Sequence, residues 1–450
     1  MGARHGSGWR NRGTTAVLLL AGLVALVRPS GAVRGQEVQL RLREAVAIAG
    51  DSATVVELAR QAGEEARGRL TQAKSVLFPA VGAAAGWIRR TLSPATMGID
   101  IPGIPVEVGP FDVFDARLRF GYTVVDFSGW SRIGAARSVV DLADAEGERA
   151  AALARERAAL AYLAGARAAA ALAARSSDLR LAEQLLGIAE SQLEHGVGTA
   201  LDVSRARTQV VAARSQLEVA RNQRLQADVA IARALGLSPQ VHFILLDSLR
   251  EGLGMSASDT SMASAVQQAL DGRPEVHAAT ARVEAAVAGR RAIARERLPR
   301  IAAVADYGAI GRSTHDMLDT WQVGLQVSLP AFDGLRREGR IAEQDARVRA
   351  LRVAQSDLRW QIQAEVEAAL LDLRTGAELQ SMARQQLELA QTEVDQARRR
   401  FEEGVAGNLE LINAQASLVR ARDAVIAAEA TRAVARIRLA QATGTLQTIH

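Results

Sequence analysis

Gly196-Val197-Gly198-Thr199-Ala200-Leu201-Asp202 (GVGTALD) returns 208 residues later as Gly404-Val405-Ala406-Gly407-Asn408-Leu409-Glu410 (GVAGNLE). Each copy leads into a helical stretch with the same seam. The first seam is Ala206, Val210, Ala213, Leu217, Ala220, Arg224, Ala227 and Ile231. The second is Ala414, Leu418, Ala421, Val425, Ala428, Arg432, Ala435 and Leu439. Steps alternating between four and three are the coiled-coil pattern, and small seam residues let helices approach closely. The charged interruption is matched as well, Arg224 by Arg432. Both stretches run out at a glycine, Gly236 and Gly444, as helices commonly do. Self-similarity at a fixed offset signals a repeated unit.

The repeat extends upstream. Residues 45–79 form an alanine-rich helical stretch ending at Phe78-Pro79, and residues 265–299 do the same, ending at Leu298-Pro299. Pro274 falls near the start of the second of these helices, where its missing N–H costs little. No proline occurs between Pro110 and Pro239 or after Pro330. The spans Asp126–Gly196 and Asp333–Gly404 are therefore expected to be near-continuous helices, each about 100 Å long. An opening helix over 51–76 and a return helix over 201–236, stacked end to end, would nearly equal one such rod. Each repeat then supplies one long rod and one two-piece rod packed antiparallel.

Between opening and long helices lie strand candidates. Residues 114–124 put Phe114, Ala116, Leu118, Phe120, Tyr122 and Val124 on one face, and Asp115, Arg117, Arg119, Gly121 and Thr123 on the other. Residues 320–329 alternate equally strictly, 301–310 less cleanly and 80–89 weakly. Period-two alternation over about ten residues is the signature of a transmembrane β-strand with lipid on one side and water on the other. A soluble half-buried sheet gives the same alternation. The aromatics near the strand ends, Trp87, Tyr122, Trp130, Tyr307 and Trp321, favour the bilayer. Four strands cannot close a barrel, which takes about eight, and open edges are not viable in lipid. A spanning barrel made by this chain must be oligomeric.

Residues 1–34 read as a signal peptide, with Arg4, Arg10 and Arg12 ahead of the apolar run 14–27 and Ser30-Gly31-Ala32 at cleavage positions. A membrane anchor is the alternative. The segment carries five arginines and no acid, so the formal charge of +5 belongs to it and the remainder is neutral. That removes the electrostatic case for nucleic-acid binding. There is no cysteine, hence no disulfide, thiolate metal site or lipidated N-terminal cysteine. The six histidines lack metal-ligand spacing. Gly196-Val197-Gly198 lacks the third glycine and preceding strand of a dinucleotide loop. No enzyme chemistry and no cofactor are expected.

With its duplicated opening helices ending in Phe/Leu-Pro, the segments at Asp126 and Phe332-Asp333-Gly334, and the paired turns at Gly196 and Gly404, the chain resembles the outer-membrane efflux protein family, the TolC-like channels. The resemblance implies a trimer in which four strands per subunit build one twelve-stranded barrel, and the helices continue it as a periplasmic tunnel. It implies an outer-membrane location, a periplasmic adaptor and an inner-membrane pump as partners, and an exit duct for efflux or type I secretion. Residues 35–236 and 264–450 would be the two repeats. The linker 237–263, residues near 36–42 and the C-terminal tail would form a belt around the tunnel. The turns would contact the adaptor through Gly196, Val197, Gly198 and Thr199, and through Gly404, Val405, Ala406 and Gly407. Glu410 would ring the closed tunnel end, with Asp202 as its counterpart in the first repeat. Asn413 stands where a second acidic ring occurs in some relatives, and Ala406 where some carry a basic partner, so one gate-locking ion pair is expected to be missing. The competing reading is a soluble periplasmic coiled-coil adaptor or scaffold, which leaves the alternating strands unexplained.

Overall fold

The computed structural model describes residues 37–93, 98, 107–249, 261–403, 405 and 407–446. The expected signal segment 1–34, and Gly404 and Ala406 of the second turn, lie outside them. The fold is mainly helical. Helices α1 (Leu42–Ser52) and α2 (Thr54–Lys74) lead to strands β2 (Ala80–Leu92) and β3 (Val108–Asp126). Then come the long helix α3 (Phe127–Glu194) and its return α4 (Ala200–Leu235). The same order follows again: α5 (Met262–Gly272), α6 (Pro274–Ala294), β5 (Arg300–Gly311), β6 (Met317–Ser328), the long α7 (Arg336–Glu402) and its return α8 (Asn408–Ala442).

One expectation needs correcting. The opening stretch is not one helix over 51–76 but two, broken at Ala53, whose backbone is extended at φ −60°, ψ 145°. The end of the return helix explains the break. Gly236 takes the left-handed conformation (φ 73°) and abuts the break, its Cβ position 3.0 Å from the Ser52 carbonyl oxygen. The second half repeats this: Gly444 (φ 75°) lies against Gly272 and Arg273, with Pro274 as the first residue of α6. Opening and return helices do stack end to end, with the junction at these two glycines.

The long helices are uninterrupted. α3 has 68 residues and α7 has 67, which makes each about 100 Å long. Asp126 caps α3 by accepting from the Gly129 N–H at 2.8 Å. Most of the expected seam is buried, Ala206, Val210, Leu217, Ala220, Ala227 and Ile231 in α4, Ala414, Leu418, Ala421, Ala428 and Ala435 in α8, while Ala213, Val425 and Leu439 are half-buried. The seam arginines reach out of the seam. Arg224 pairs with Asp228 and donates to the Phe243 carbonyl, and Arg432 donates to Gln380 Oε1. Packing orders the rods as a layer: α3 lies between the α1, α2, α4 stack and the α6, α8 stack, and α7 packs outside α6 and α8. Arg175 and Arg422 both bind Asp178, and Arg175 also binds Asp423, clamping α3 to α8.

The four long strands form one antiparallel sheet in the order β2-β3-β5-β6, the order of the helices they join. Its ends at Ala80, Asp126, Arg300 and Ser328 adjoin helices; the opposite end carries the hairpins. Register places Tyr307 beside Trp321 and Leu118 beside Tyr307, so the apolar face predicted from alternation is continuous across the sheet. Among the described residues no helix packs along that face: Trp321 is 73% and Leu325 75% exposed. A soluble half-buried sheet would have this face covered.

At mid-length a small belt wraps α3. Strand β1 (Glu37–Leu40) pairs in parallel with β4 (His242–Leu245), and Leu40, Phe243, Leu249 and Leu446 share one core with Tyr162. The fully buried Tyr162 hydroxyl lies 2.9 Å from Asp247 Oδ2 and 3.1 Å from the Leu40 carbonyl, and Asp247 Oδ2 also accepts from the Leu42 N–H at 2.6 Å. Burial first, then the nearby Asp247, push the phenol above its ordinary pKa, so the tyrosine is neutral and acts as donor. Tyr162→Phe removes the hydroxyl donor and leaves the Asp247 N–H, which donates to that hydroxyl at 3.2 Å, without its acceptor. It should cost about 1–3 kcal/mol and loosen the belt first, seen as faster amide exchange in 37–42 and 242–247. Unchanged exchange there would show that the belt is held by apolar contacts alone.

Candidate functional site

The two helix turns lie side by side at the end of the molecule remote from the sheet. The last turn of α3 closes with Val197 N–H donating to the Gln192 carbonyl at 2.9 Å, and Gly196 is left-handed at φ 78°. The last turn of α7 closes alike, Val405 N–H to the Arg400 carbonyl at 2.9 Å, the equivalent residues 208 positions on. Thr199 caps α4 in a reciprocal arrangement: its hydroxyl accepts from the Asp202 N–H, and the Asp202 carboxylate accepts from the Thr199 N–H and hydroxyl. Gly407 caps α8 with no side-chain bond.

Two bonds tie the turns together. Gln192 Nε2 donates to the Phe401 carbonyl at 2.6 Å, and the buried Asn408 Nδ2 donates to the Asp202 carbonyl at 2.9 Å. Above them Leu185, Ala189, Val203, Phe401, Leu411 and Ala414 form a closed core. What remains outside is mixed: Glu194, His195, Glu402 and Glu403 are exposed, with one apolar side chain standing out among them at each turn. Val197 is 76% and Val405 68% exposed, one at each turn. Gly198 packs tightly, since a Cβ there would meet Gln192 and Leu193 at 2.9 Å, so it serves the turn's geometry.

The acids differ from each other. Asp202 is turned back onto Thr199 and is only half-buried. Glu410 is exposed, in the first turn of α8, and its Oε1 lies 3.4 Å from Arg400 Nη1 in the last turn of α7. Asn413 is exposed one turn further on. The sequence reading looked for a basic partner at 406 and missed Arg400. The run Arg398-Arg399-Arg400 before the turn was the available signal, since cations favour helix C-termini. Asn408 and Gln192 were also missed, because their partners are backbone carbonyls of the other hairpin. No group of histidines and acids able to hold a metal occurs among the described residues.

The family profile "Outer membrane efflux protein" matches residues 53–237 and 265–445. The chain belongs to this family. It is an outer-membrane efflux protein that extends into the periplasm, and its family is one of transport proteins, not enzymes. The soluble-scaffold reading falls with that. Among curated relatives, the toluene efflux pump outer membrane protein TtgF of Pseudomonas putida is 25% identical over 384 residues, covering 82% of this chain and 76% of its own. The outer membrane efflux protein BepC of Brucella suis biovar 1 is 26% identical over 275 residues, 60% of this chain and 59% of its own. Among solved structures, the outer-membrane channel OprN has the same fold with a TM-score of 0.73 at 20% identity, covering 90% of both chains. The open-state MtrE channel of Neisseria gonorrhoeae superposes with a TM-score of 0.71 at 19% identity, covering 93% of this chain and 94% of its own.

Proposed function

We propose that three copies of this chain form the exit duct of a tripartite efflux or type I secretion system, a passive channel across outer membrane and periplasm. The observation that carries this is the pair of open edges. β2 and β6 each leave one edge unpaired, and the helix layer above ends equally openly in the α1, α2, α4 stack on one side and α7 on the other. A head-to-tail ring closes both layers at once, because sheet and helices follow the same order. Three copies give twelve strands, lipid on the Trp321–Leu325 face and water on the Arg117–Arg119 face. Exposed Phe78, Trp130 and Phe332 at the helix-side end of the sheet suit the membrane interface. Residues 1–34 act as the export signal, and residues near 36–42, the linker 237–263 and the C-terminal tail, with the β1–β4 sheet among them, form the belt around the tunnel's middle. The turns, with Val197 and Val405 foremost, receive a periplasmic adaptor coupled to an inner-membrane pump.

At the tip, Glu410 from three chains lines the narrow end. Arg400 offsets part of its charge, and the exposed pair is weak enough to leave a net field in the pore. In planar bilayers the channel should prefer cations and be blocked by multivalent cations from the periplasmic side. Glu410→Gln should remove much of both effects, and Arg400→Gln should strengthen both. A channel whose selectivity is the same in all three forms would mean that Glu410 is a helix-end acid away from the pore.

A further inference from the structure

The water-facing side of the sheet carries a charge arrangement that neither the helix tip nor the duct as such accounts for. Arg117 on β3 is held between two carboxylates: Nε lies 2.7 Å from Asp115 Oδ1, and Nη1 lies 2.7 Å from Asp306 Oδ1 on β5. The stem of Arg117 passes over Gly308, where an added Cβ would stand 2.6 Å from Arg117 Cγ. A glycine at 308 is therefore what lets the guanidinium reach across to the neighbouring strand. Arg119 sits directly opposite Asp306 in the register, yet that carboxylate is taken by Arg117. Arg119 is exposed and has no hydrogen bond or ion pair among the described residues. Its other neighbour is Gly82 on β2.

β3 is an inner strand, so both flanking neighbours of Arg119 come from its own chain, and ring closure brings no new strand beside it. Gly82, Ala84 and Gly86 flank β3 on this face with little or no side chain, which leaves the guanidinium uncovered. The four charges cancel in total, but not in place. The Arg117 cluster carries one net negative charge; Arg119 carries one positive charge two residues, about 7 Å, nearer the helix-side end than Arg117, and its register partner Asp306 is engaged by Arg117 instead.

We propose that Arg119 sets the ionic preference of the barrel interior, as a ring of three uncovered guanidinium groups that transiently binds carboxylate, sulfate or phosphate groups of passing cargo. Guanidinium groups suit this, being planar, permanently charged and able to grip such groups through two N–H bonds. The neighbouring Arg117 is already paired with two carboxylates and serves as a strut between β3 and β5. This rests on the duct reading above, because only ring closure turns this face into a lumen.

The test is reversal potential in a KCl gradient, with single channels in planar bilayers, in a Glu410→Gln background so that the tip charge does not dominate. Arg119→Gln leaves one net negative charge per chain and should raise the cation-to-anion permeability ratio at least about two-fold. Asp306→Asn leaves one net positive charge and should lower the ratio by a similar factor. The double variant restores neutrality and should return to the background value. Citrate, as a multivalent anion probe, should reduce the background current and lose that effect in Arg119→Gln, while Arg119→Lys retains part of it. If Arg119→Gln conducts with an unchanged ratio, or Asp306→Asn fails to shift it in the opposite sense, the assignment is wrong. Absence of any channel from the background protein would instead overturn the duct reading, a distinguishable result.

Discussion

Export ceases in the double variant Val197→Asp, Val405→Asp, while the amount of assembled protein in the outer membrane stays at the wild-type level: this is the expected result for the tip. The two valines are the most exposed apolar side chains of the two turns, and neither takes part in the core above them. Each turn is held by backbone bonds to Gln192 and Arg400 and by cross-ties from Gln192 and Asn408, none of which involves a valine side chain. Placing two carboxylates where an adaptor would bury apolar surface costs several kcal/mol of docking at each contact, and the loss recurs around a symmetric ring. Glycine variants would test this less cleanly. Gly196 needs its positive φ, and Gly198 has no room for a Cβ, so their substitution strains the turn itself. The measurement is export of the pump's substrate beside the quantity of heat-resistant oligomer. Wild-type export in the double variant would sink the docking reading, and joint loss of export and oligomer would make the turns purely structural.

Much of this fold is legible in the chain because its signals are long. Two proline-free spans became two helices of 67 and 68 residues, and the strict alternation of 114–124 and 320–329 became β3 and β6. The weaker strands were readable mainly by position in the repeat. The break at Ala53 was missed since Gly50-Asp51-Ser52-Ala53 continues a helical pattern, and what opens it is a tertiary contact, the arrival of Gly236. The duplication contained the answer. Pro274, mapped back by the 220-residue offset of the opening helices, falls on Thr54, the first residue of α2. The short β1–β4 pairing could not be read, because four residues of alternation are indistinguishable from loop. The tip was legible in location but not in bonding. Glu410 and Arg400 lie ten positions apart across a turn, outside the spacing rules that predict helix pairs.

The open edges make assembly the sharpest test, and the absence of cysteine makes it a clean one. Within one chain β2 and β6 are separated by β3 and β5, which places them about 14 Å apart. A disulfide spans Cα atoms no more than about 7 Å apart, so cysteines on these two strands cannot bridge inside a chain. Between chains in a head-to-tail ring the same strands are neighbours. A chain carrying Ala85→Cys on β2 with one cysteine walked along β6, at Trp321, Val323, Leu325 and Val327 in turn, should cross-link strongly in one or two registers and poorly in the rest. All these positions share the apolar side of the sheet, so alternation itself is held constant. Under oxidation the best pair should convert nearly all membrane-embedded protein into a closed species of three chains, with a two-chain band as the only intermediate. Closure at three, with no further ladder, follows because a twelve-stranded ring has no free edge left. A ladder that continues beyond three would indicate an open filament, and one that stops at two would indicate a dimer. A membrane-embedded protein that never cross-links in any register would show that β2 and β6 do not meet, and that these edges are satisfied by something other than a second copy.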